Sequence, residues 1–147
     1  KLIPEITHAI EPNEKRFNAA CHNYLKGKNT KNIYIVEGWA ENIPYEHSIF
    51  DTVLSWGTIC FVRSMLEAFY EVNRVLETGG AFIFDVVKKS NLPIVQTVDP
   101  DSFIKWVELF GFSLIERRDL SPYAPHLRVA LALKKVAEEI MRQIDFG

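Results

Sequence analysis

The sequence predicts an α/β domain built on a mainly parallel sheet that ends in an antiparallel strand and is flanked by helices. Three observations carry this. Strand-like and helix-like segments alternate along the chain, the order expected of βαβ units. Ala81 to Val87 is an almost continuous apolar run, the pattern of a parallel strand covered on both faces. Two further strand candidates, Phe112 to Arg118 and Leu127 to Leu133, are joined by a link containing Pro122 and Pro125 that has no room for a crossover helix, so this pair is antiparallel.

Taken in order, Thr7 to Ile10 is a short strand that runs into Glu11-Pro12-Asn13. Pro12 suits the first turn of a helix, and Phe17, Ala20, Cys21 and Tyr24 then recur at helical spacing until Gly27. Ile33 to Val36 is a β-branched and aromatic strand, broken by the segment Asn42 to Ser48 with its Pro44, and Phe50 to Leu54 is the next strand. Met65, Ala68, Phe69, Val72 and Leu76 share one helical face. Gly79-Gly80 is expected to end that helix, because glycine accepts a left-handed conformation without steric cost. Pro100 to Phe110 forms another helix, capped by Asp99 or Asp101 and closed by Gly111.

A chain of 147 residues suits one core, and 48% apolar with 24% charged residues is ordinary globular composition. The net charge of −2, with both signs interspersed, offers no basic field for a phosphate backbone, so nucleic acid is not the expected partner. Cys21 and Cys60 have neither disulfide-framework nor zinc-site spacing, which fits a reducing cytoplasm. No apolar run reaches the roughly 20 residues that span a bilayer, and a soluble, cytoplasmic protein is expected.

The chemistry-bearing constellation runs from residue 38 to residue 80. It comprises Gly38-Trp39-Ala40-Glu41, Ile43-Pro44, Phe50-Asp51-Thr52-Val53, Glu71, Arg74-Val75-Leu76 and Gly79-Gly80. This resembles the signature of class I S-adenosylmethionine-dependent methyltransferases, G-x-A-E-x-L-P, then F-D-x-V, then E-x-x-R-V-L-x-x-G-G, at matching intervals. The resemblance extends from Thr7 to Leu133 and implies a Rossmann-like sheet, S-adenosylmethionine as cofactor and a small-molecule methyl acceptor.

Within that resemblance, Glu11 with Pro12 is similar to the family's second-strand motif, whose carboxylate accepts both ribose hydroxyls; two adjacent donors match two carboxylate oxygens. Independently of it, Glu11 could complement the positive end of the following helix. Trp39-Ala40 falls where the family presents an acceptor and a backbone N–H to adenine. Indole is only a donor, so either Trp39 packs on the ring, or Glu41 supplies the acceptor, or adenine recognition is weakened; a packing role between helix and sheet is the alternative. Ser55-Trp56-Gly57 occupies the place where family members contact the methionine portion, largely through backbone, with Gly57 permitting close approach. Trp56 and Thr58 would then shape the acceptor side. Arg74, Leu76 and Gly79-Gly80 are read as structural. His47 and His126 lie in expected loops and could titrate near neutrality, whereas His8 and His22 fall in a strand and a helix. No catalytic side chain is assigned, since the sulfonium is already an activated donor and positioning supplies much of the acceleration.

The family's first strand and glycine-rich loop would precede Lys1, between the strands at Thr7–Ile10 and Phe50–Ser55, so upstream residues are expected. The link Lys88–Asp99 is short for a substrate lid, which implies an open acceptor pocket or further missing residues. Residues 1–134 are read as the methyltransferase domain. Residues 135–147 are read as an amphipathic tail, with Val136, Ile140 and Ile144 on one face, packing on its own domain or forming a homodimer contact. The rival readings are a degenerate methyltransferase-like module that scaffolds a partner without catalysis and, more weakly, a nicotinamide-dependent oxidoreductase.

Overall fold

Strand β1 (Thr7–Glu11) leads through Pro12 to Asn13, whose side-chain oxygen accepts the Arg16 N–H at 3.0 Å and starts helix α1 (Glu14–Lys26). Asn13 is therefore the N-cap, and Pro12 precedes the helix rather than lying in its first turn. The computed structural model describes residues 5–27, 32–120, 122 and 127–135. Strand β2 (Ile33–Glu37) pairs parallel to β1, with Thr7 opposite Ile33 and Glu11 opposite Glu37. Helix α1 is the connection between them, as a parallel pair requires.

The second half of the fold is a separate four-stranded sheet. Strand β3 (Phe50–Ser55) lies parallel to β4 (Leu76–Lys89), and β4 pairs antiparallel with β6 (Leu127–Lys135), which pairs antiparallel with β5 (Phe112–Asp119). The sheet order is thus β3-β4-β6-β5, and β6 is the strand that runs against the rest. The expected α/β class and the terminal antiparallel pair are both present. Among the described residues, β1 pairs only with β2, and β3 only with β4, so each presents an unpaired edge.

Helix α2 (Met65–Val75) is capped by Ser64, whose hydroxyl accepts the Glu67 N–H at 3.2 Å, and α3 (Pro100–Glu108) by Asp99, whose carboxylate accepts the Ser102 N–H at 2.9 Å. Asp99, not Asp101, is the cap, and that hydrogen bond holds its carboxyl below the usual carboxylate range. Both helices press on one face of the sheet. Phe69 of α2 meets Phe82 and Phe84 of β4 and Phe103 and Trp106 of α3, with ring centroids 5.2 to 5.5 Å apart in edge-on or nearly edge-on contacts.

Two expectations are corrected here. Gly79-Gly80 does not end α2: the helix stops at Val75, Leu76 caps it with φ −74°, and the chain passes directly into β4. The glycines instead form the irregular start of that strand, where the pairing jumps from Phe50–Leu76 to Thr52–Ala81. Gly79 sits at φ 91°, and a β-carbon on Gly80 would lie 2.9 Å from the Glu77 carbonyl oxygen and 3.0 Å from that of Asp51. Lys135, read as the first tail residue, closes β6 instead. It is fully buried, and its ammonium donates to the Asn73 and Leu76 carbonyls at 2.8 and 2.9 Å, which satisfies the C-terminal end of α2 with a positive charge. The helix expected over the rest of the tail lies outside the described residues, as do His126 and Pro125.

Gly80→Ala is expected to destabilise the domain by about 1–3 kcal/mol, because the atoms in its way are backbone carbonyls that cannot rotate aside. Urea unfolding of the two proteins measures the difference, and an unchanged midpoint would contradict this account of the strand start.

Candidate functional site

The loops after β1, β2 and β3 all leave from the carboxyl ends of parallel strands, which is where open α/β sheets bind ligands. Glu11 is the last residue of β1. Its Oε1 accepts the Asn13 N–H at 3.0 Å, so the carboxylate is steadied at the threshold of α1 while Asn13 does the capping. The Gly38 N–H reaches the Glu11 carbonyl at 3.4 Å, which joins the end of β1 to the turn that follows β2. A β-carbon on Gly38 would stand 3.1 Å from Cδ of Pro44, so glycine there lets the turn fold closely over the Ile43-Pro44 segment.

In that turn Trp39 is 43% exposed. It does not fill a gap between helix and sheet; the Arg63 guanidinium lies over its ring, 4.0 Å from the centroid. Ala40 is half-buried and packs against the core. The Glu41 Oε1 accepts the backbone N–H of Arg63 at 2.5 Å and of Ser64 at 3.2 Å. Glu41 thus fastens the turn after β2 to the chain leading into α2.

Ser55 ends β3 opposite Phe84, and Trp56 beyond it is 57% exposed. Gly57 adopts φ 64°, and its N–H donates to Oδ1 of Asp85 at 2.5 Å. A single helical turn, Ile59–Phe61, then carries the chain to Arg63. The third turn is in this way connected to the second by a short covalent path and by the Arg63 contact with Trp39. The turn after β2 is thus joined to Glu11 through the Gly38 N–H and to the approach to α2 through Glu41 and the Arg63–Trp39 contact, while Gly57 is held by Asp85 of β4.

An ion pair on α2, between buried Glu71 and partly buried Arg74, underlies this arrangement. Arg74 and Glu71 meet through two bonds of 2.6 Å, the Glu71 carboxylate accepts the Ile43 N–H at 2.7 Å, and the Arg74 guanidinium donates to the carbonyls of Ile43 at 2.9 Å and Tyr45 at 2.7 Å. The structural role expected of Arg74 is thereby explained: it grips the segment that breaks β2 from β3. Burial alone would raise the Glu71 carboxyl, but the Arg74 hydrogen bond, the Ile43 N–H and the charges of Arg74 and His47 outweigh it and hold the group below the usual carboxylate range.

Asp85, Arg63 and Gln96 were not singled out from the sequence. For Asp85 a signal existed, since it is the one charge inside the apolar run Ala81 to Val87. Gln96 ties the link after β4 to the turn after β3, its backbone N–H donating to the Cys60 carbonyl at 2.8 Å and its amide to that of Val62. An open cavity of about 400 Å³, lined by Lys88, Thr97, Asp99, Asp101 and Arg117 among others, lies beyond β4 on the side of β5. It contains none of the predicted residues, and its charges pair locally, Lys88 with Asp119 and Arg117 with Asp101. Among the described residues there is no cluster of three or more side chains able to hold a metal, and no helix is long and apolar enough to cross a membrane.

Loops that leave the carboxyl ends of parallel strands, with an acidic residue closing the first strand, define a Rossmann-like α/β domain. The profile of the methyltransferase domain family matches residues 5–84, more than half of the chain, and the chain belongs to that family. It is 34% identical over 86 residues to the demethylmenaquinone methyltransferase of Staphylococcus haemolyticus, an alignment covering 58% of this chain and 36% of that protein. It is 31% identical over 106 residues to the glycine/sarcosine/dimethylglycine N-methyltransferase of Actinopolyspora halophila, covering 63% and 19%. The chain therefore spans well under half the length of either relative. Its fold matches the [4+2]-cyclase SpnF with a TM-score of 0.76 at 13% identity, over 90% of this chain and 68% of that one. It also matches an S-adenosylmethionine-dependent methyltransferase from Mesorhizobium loti with a TM-score of 0.67 at 12% identity, over 88% and 80%.

Glu71→Gln is expected to cost about 2 kcal/mol near neutral pH, since it weakens a charge-assisted set of buried bonds. The folded carboxyl titrates below its unfolded value of about 4.3. The stability it contributes is therefore complete above about pH 5 and is lost as the pH falls through the folded value. Urea unfolding from pH 7 to pH 3 should show the gap between wild type and variant constant at first and narrowing below about pH 4; a gap that widens in acid contradicts the assignment.

Proposed function

We propose that this chain forms the greater part of the cofactor-binding domain of an S-adenosylmethionine-dependent methyltransferase that acts on an N, O or C atom of a small molecule. The observation that supports this is that Glu11, the Trp39–Glu41 turn and the Ser55–Gly57 turn each follow the carboxyl end of a parallel strand, in a chain of the methyltransferase domain family. The donor set suits an adenosyl ligand. Glu11 offers an ionised acceptor to a pair of ribose hydroxyls, Trp39 with Ala40 and Glu41 borders the adenine, and Ser55–Gly57 presents backbone to the methionine portion.

When bound, S-adenosylmethionine supplies an activated methyl group on a sulfonium, so the work left to this chain is to bind, orient and exclude water. The names of the two relatives specify different acceptors, demethylmenaquinone in one and glycine, sarcosine and dimethylglycine in the other. Both are small molecules, which supports that class of acceptor here. Among the described residues, the unpaired edges of β1 and β3 are each open to a further strand. Cys21 and Cys60 are not joined in a disulfide, which suits a reducing cytoplasm.

Titration calorimetry of the full-length protein with S-adenosylmethionine should show saturable binding, and Glu11→Ala should weaken it about tenfold or more through loss of hydrogen bonds to a charged acceptor. A folded protein that takes up no cofactor would favour the scaffolding alternative and remove the enzymatic one.

A further inference from the structure

We propose that Asp85 is a positioning residue for the cofactor site: its carboxylate fixes the peptide between Trp56 and Gly57, and so sets the turn expected to meet the methionine portion. The inference rests on the assignment of that turn to the cofactor.

Asp85 is 1% exposed and lies between Phe84 and Val86, both buried, in the apolar centre of β4. An ionisable group in such a place is costly unless it is hydrogen-bonded. The pairing of β3 with β4 ends at Ser55 opposite Phe84, so the next step of the ladder would place Trp56 opposite Asp85. The chain turns away instead, with Gly57 at φ 64°, and the Asp85 side chain takes the Gly57 N–H at 2.5 Å in place of a backbone partner. On the other side of the same peptide, the Trp56 carbonyl accepts the Thr58 hydroxyl at 3.1 Å. Both polar groups of one peptide unit are engaged, and together they fix its plane. A fixed plane determines where the neighbouring backbone groups and the exposed Trp56 side chain point.

Asp85 does not have to touch a ligand to do this. A merely structural carboxylate would change stability alone, whereas a positioning one changes the Gly57 amide and cofactor affinity together. The carboxamide of Asn keeps an acceptor oxygen at the same distance from the backbone, so the conservative variant should rescue what alanine loses.

The test uses the full-length protein with three readouts: hydrogen exchange at the Gly57 amide by NMR, calorimetric titration with S-adenosylmethionine, and thermal unfolding to correct for the folded fraction. Asp85→Ala is expected to speed Gly57 exchange at least tenfold and to weaken cofactor binding about tenfold, while Asp85→Asn stays within about threefold of wild type in both. Thr58→Val, at an exposed position, should weaken binding about threefold and gives the answer should Asp85→Ala not fold. Wild-type affinity in Asp85→Ala with a released Gly57 amide, equal losses in the Ala and Asn variants, or no change in Thr58→Val overturns the role of Asp85. A wild-type protein that binds no cofactor while its Gly57 amide stays protected overturns the site assignment itself, and the role with it.

Discussion

The Glu71–Arg74 pair is the interaction on which the two halves of the domain depend. No backbone ladder among the described strands connects β1-β2 to β3-β4-β6-β5. The segment Ile43–Tyr45 bridges them, and it is held by a carboxylate and a guanidinium projecting from α2, whose other face lies on β4. From there the contact spreads in both directions. The Tyr45 hydroxyl lies 2.8 Å from Nδ1 of His8 on β1, its ring meets Phe50 of β3 edge-on at 5.2 Å, and Pro44 packs under Gly38. The Ser48 and Ile49 N–H groups add bonds to the Arg74 and Val75 carbonyls at 2.9 Å each. Arg74 thus acts through its side chain and its backbone on the same crossing of the chain.

An ion pair suits this task better than an apolar contact. The carbonyls of Ile43 and Tyr45 and the N–H of Ile43 belong to a segment that follows a strand and has no ladder to join, and buried backbone groups need partners. The planar guanidinium supplies several donors in a fixed fork, and Glu71 both neutralises it and accepts the remaining N–H. Glu41 repeats the device on a smaller scale, with one carboxylate oxygen taking two backbone donors at the approach to α2. The site edge is consequently built from loops whose own polar groups are held by side chains from elsewhere, which fixes them without secondary structure.

Much of the fold was legible because it depends on local pattern. The alternation of elements, the apolar β4 and the antiparallel β5–β6 pair all follow from apolar periodicity and the length of a link. Boundaries failed where geometry is set by contacts distant in sequence. Gly79-Gly80 has the composition of a helix stop, but Lys135, 59 residues beyond Leu76, already satisfies the end of α2, and the glycines serve the close approach of Asp51 to β4 instead. For the candidate site, the family resemblance pointed to Glu11, the Trp39 turn and the Gly57 turn, yet could not show that the Glu41 carboxylate faces the Arg63 and Ser64 amides or that Arg63 covers Trp39. Asp85 and Gly57 are 28 residues apart, and nothing in either segment announces the other.

The same reasoning separates what the domain must keep from what it is free to vary. The link after β4 folds back so that Val98 bonds to the Val87 carbonyl at 3.0 Å and Gln96 reaches Cys60 and Val62, which makes it one body with the turn after β3. Those anchoring bonds use backbone groups and one amide, and they leave Trp56, Phe61, Leu92 and Ile94 with half or more of their surface in solvent. In the proposed enzyme, exchanging these side chains would alter the surface offered to an acceptor without disturbing Glu11, Glu41 or the Asp85–Gly57 bond. A fold that pins its carboxyl-end loops by side chains from elsewhere while displaying apolar groups from those same loops can vary the displayed surface on one frame.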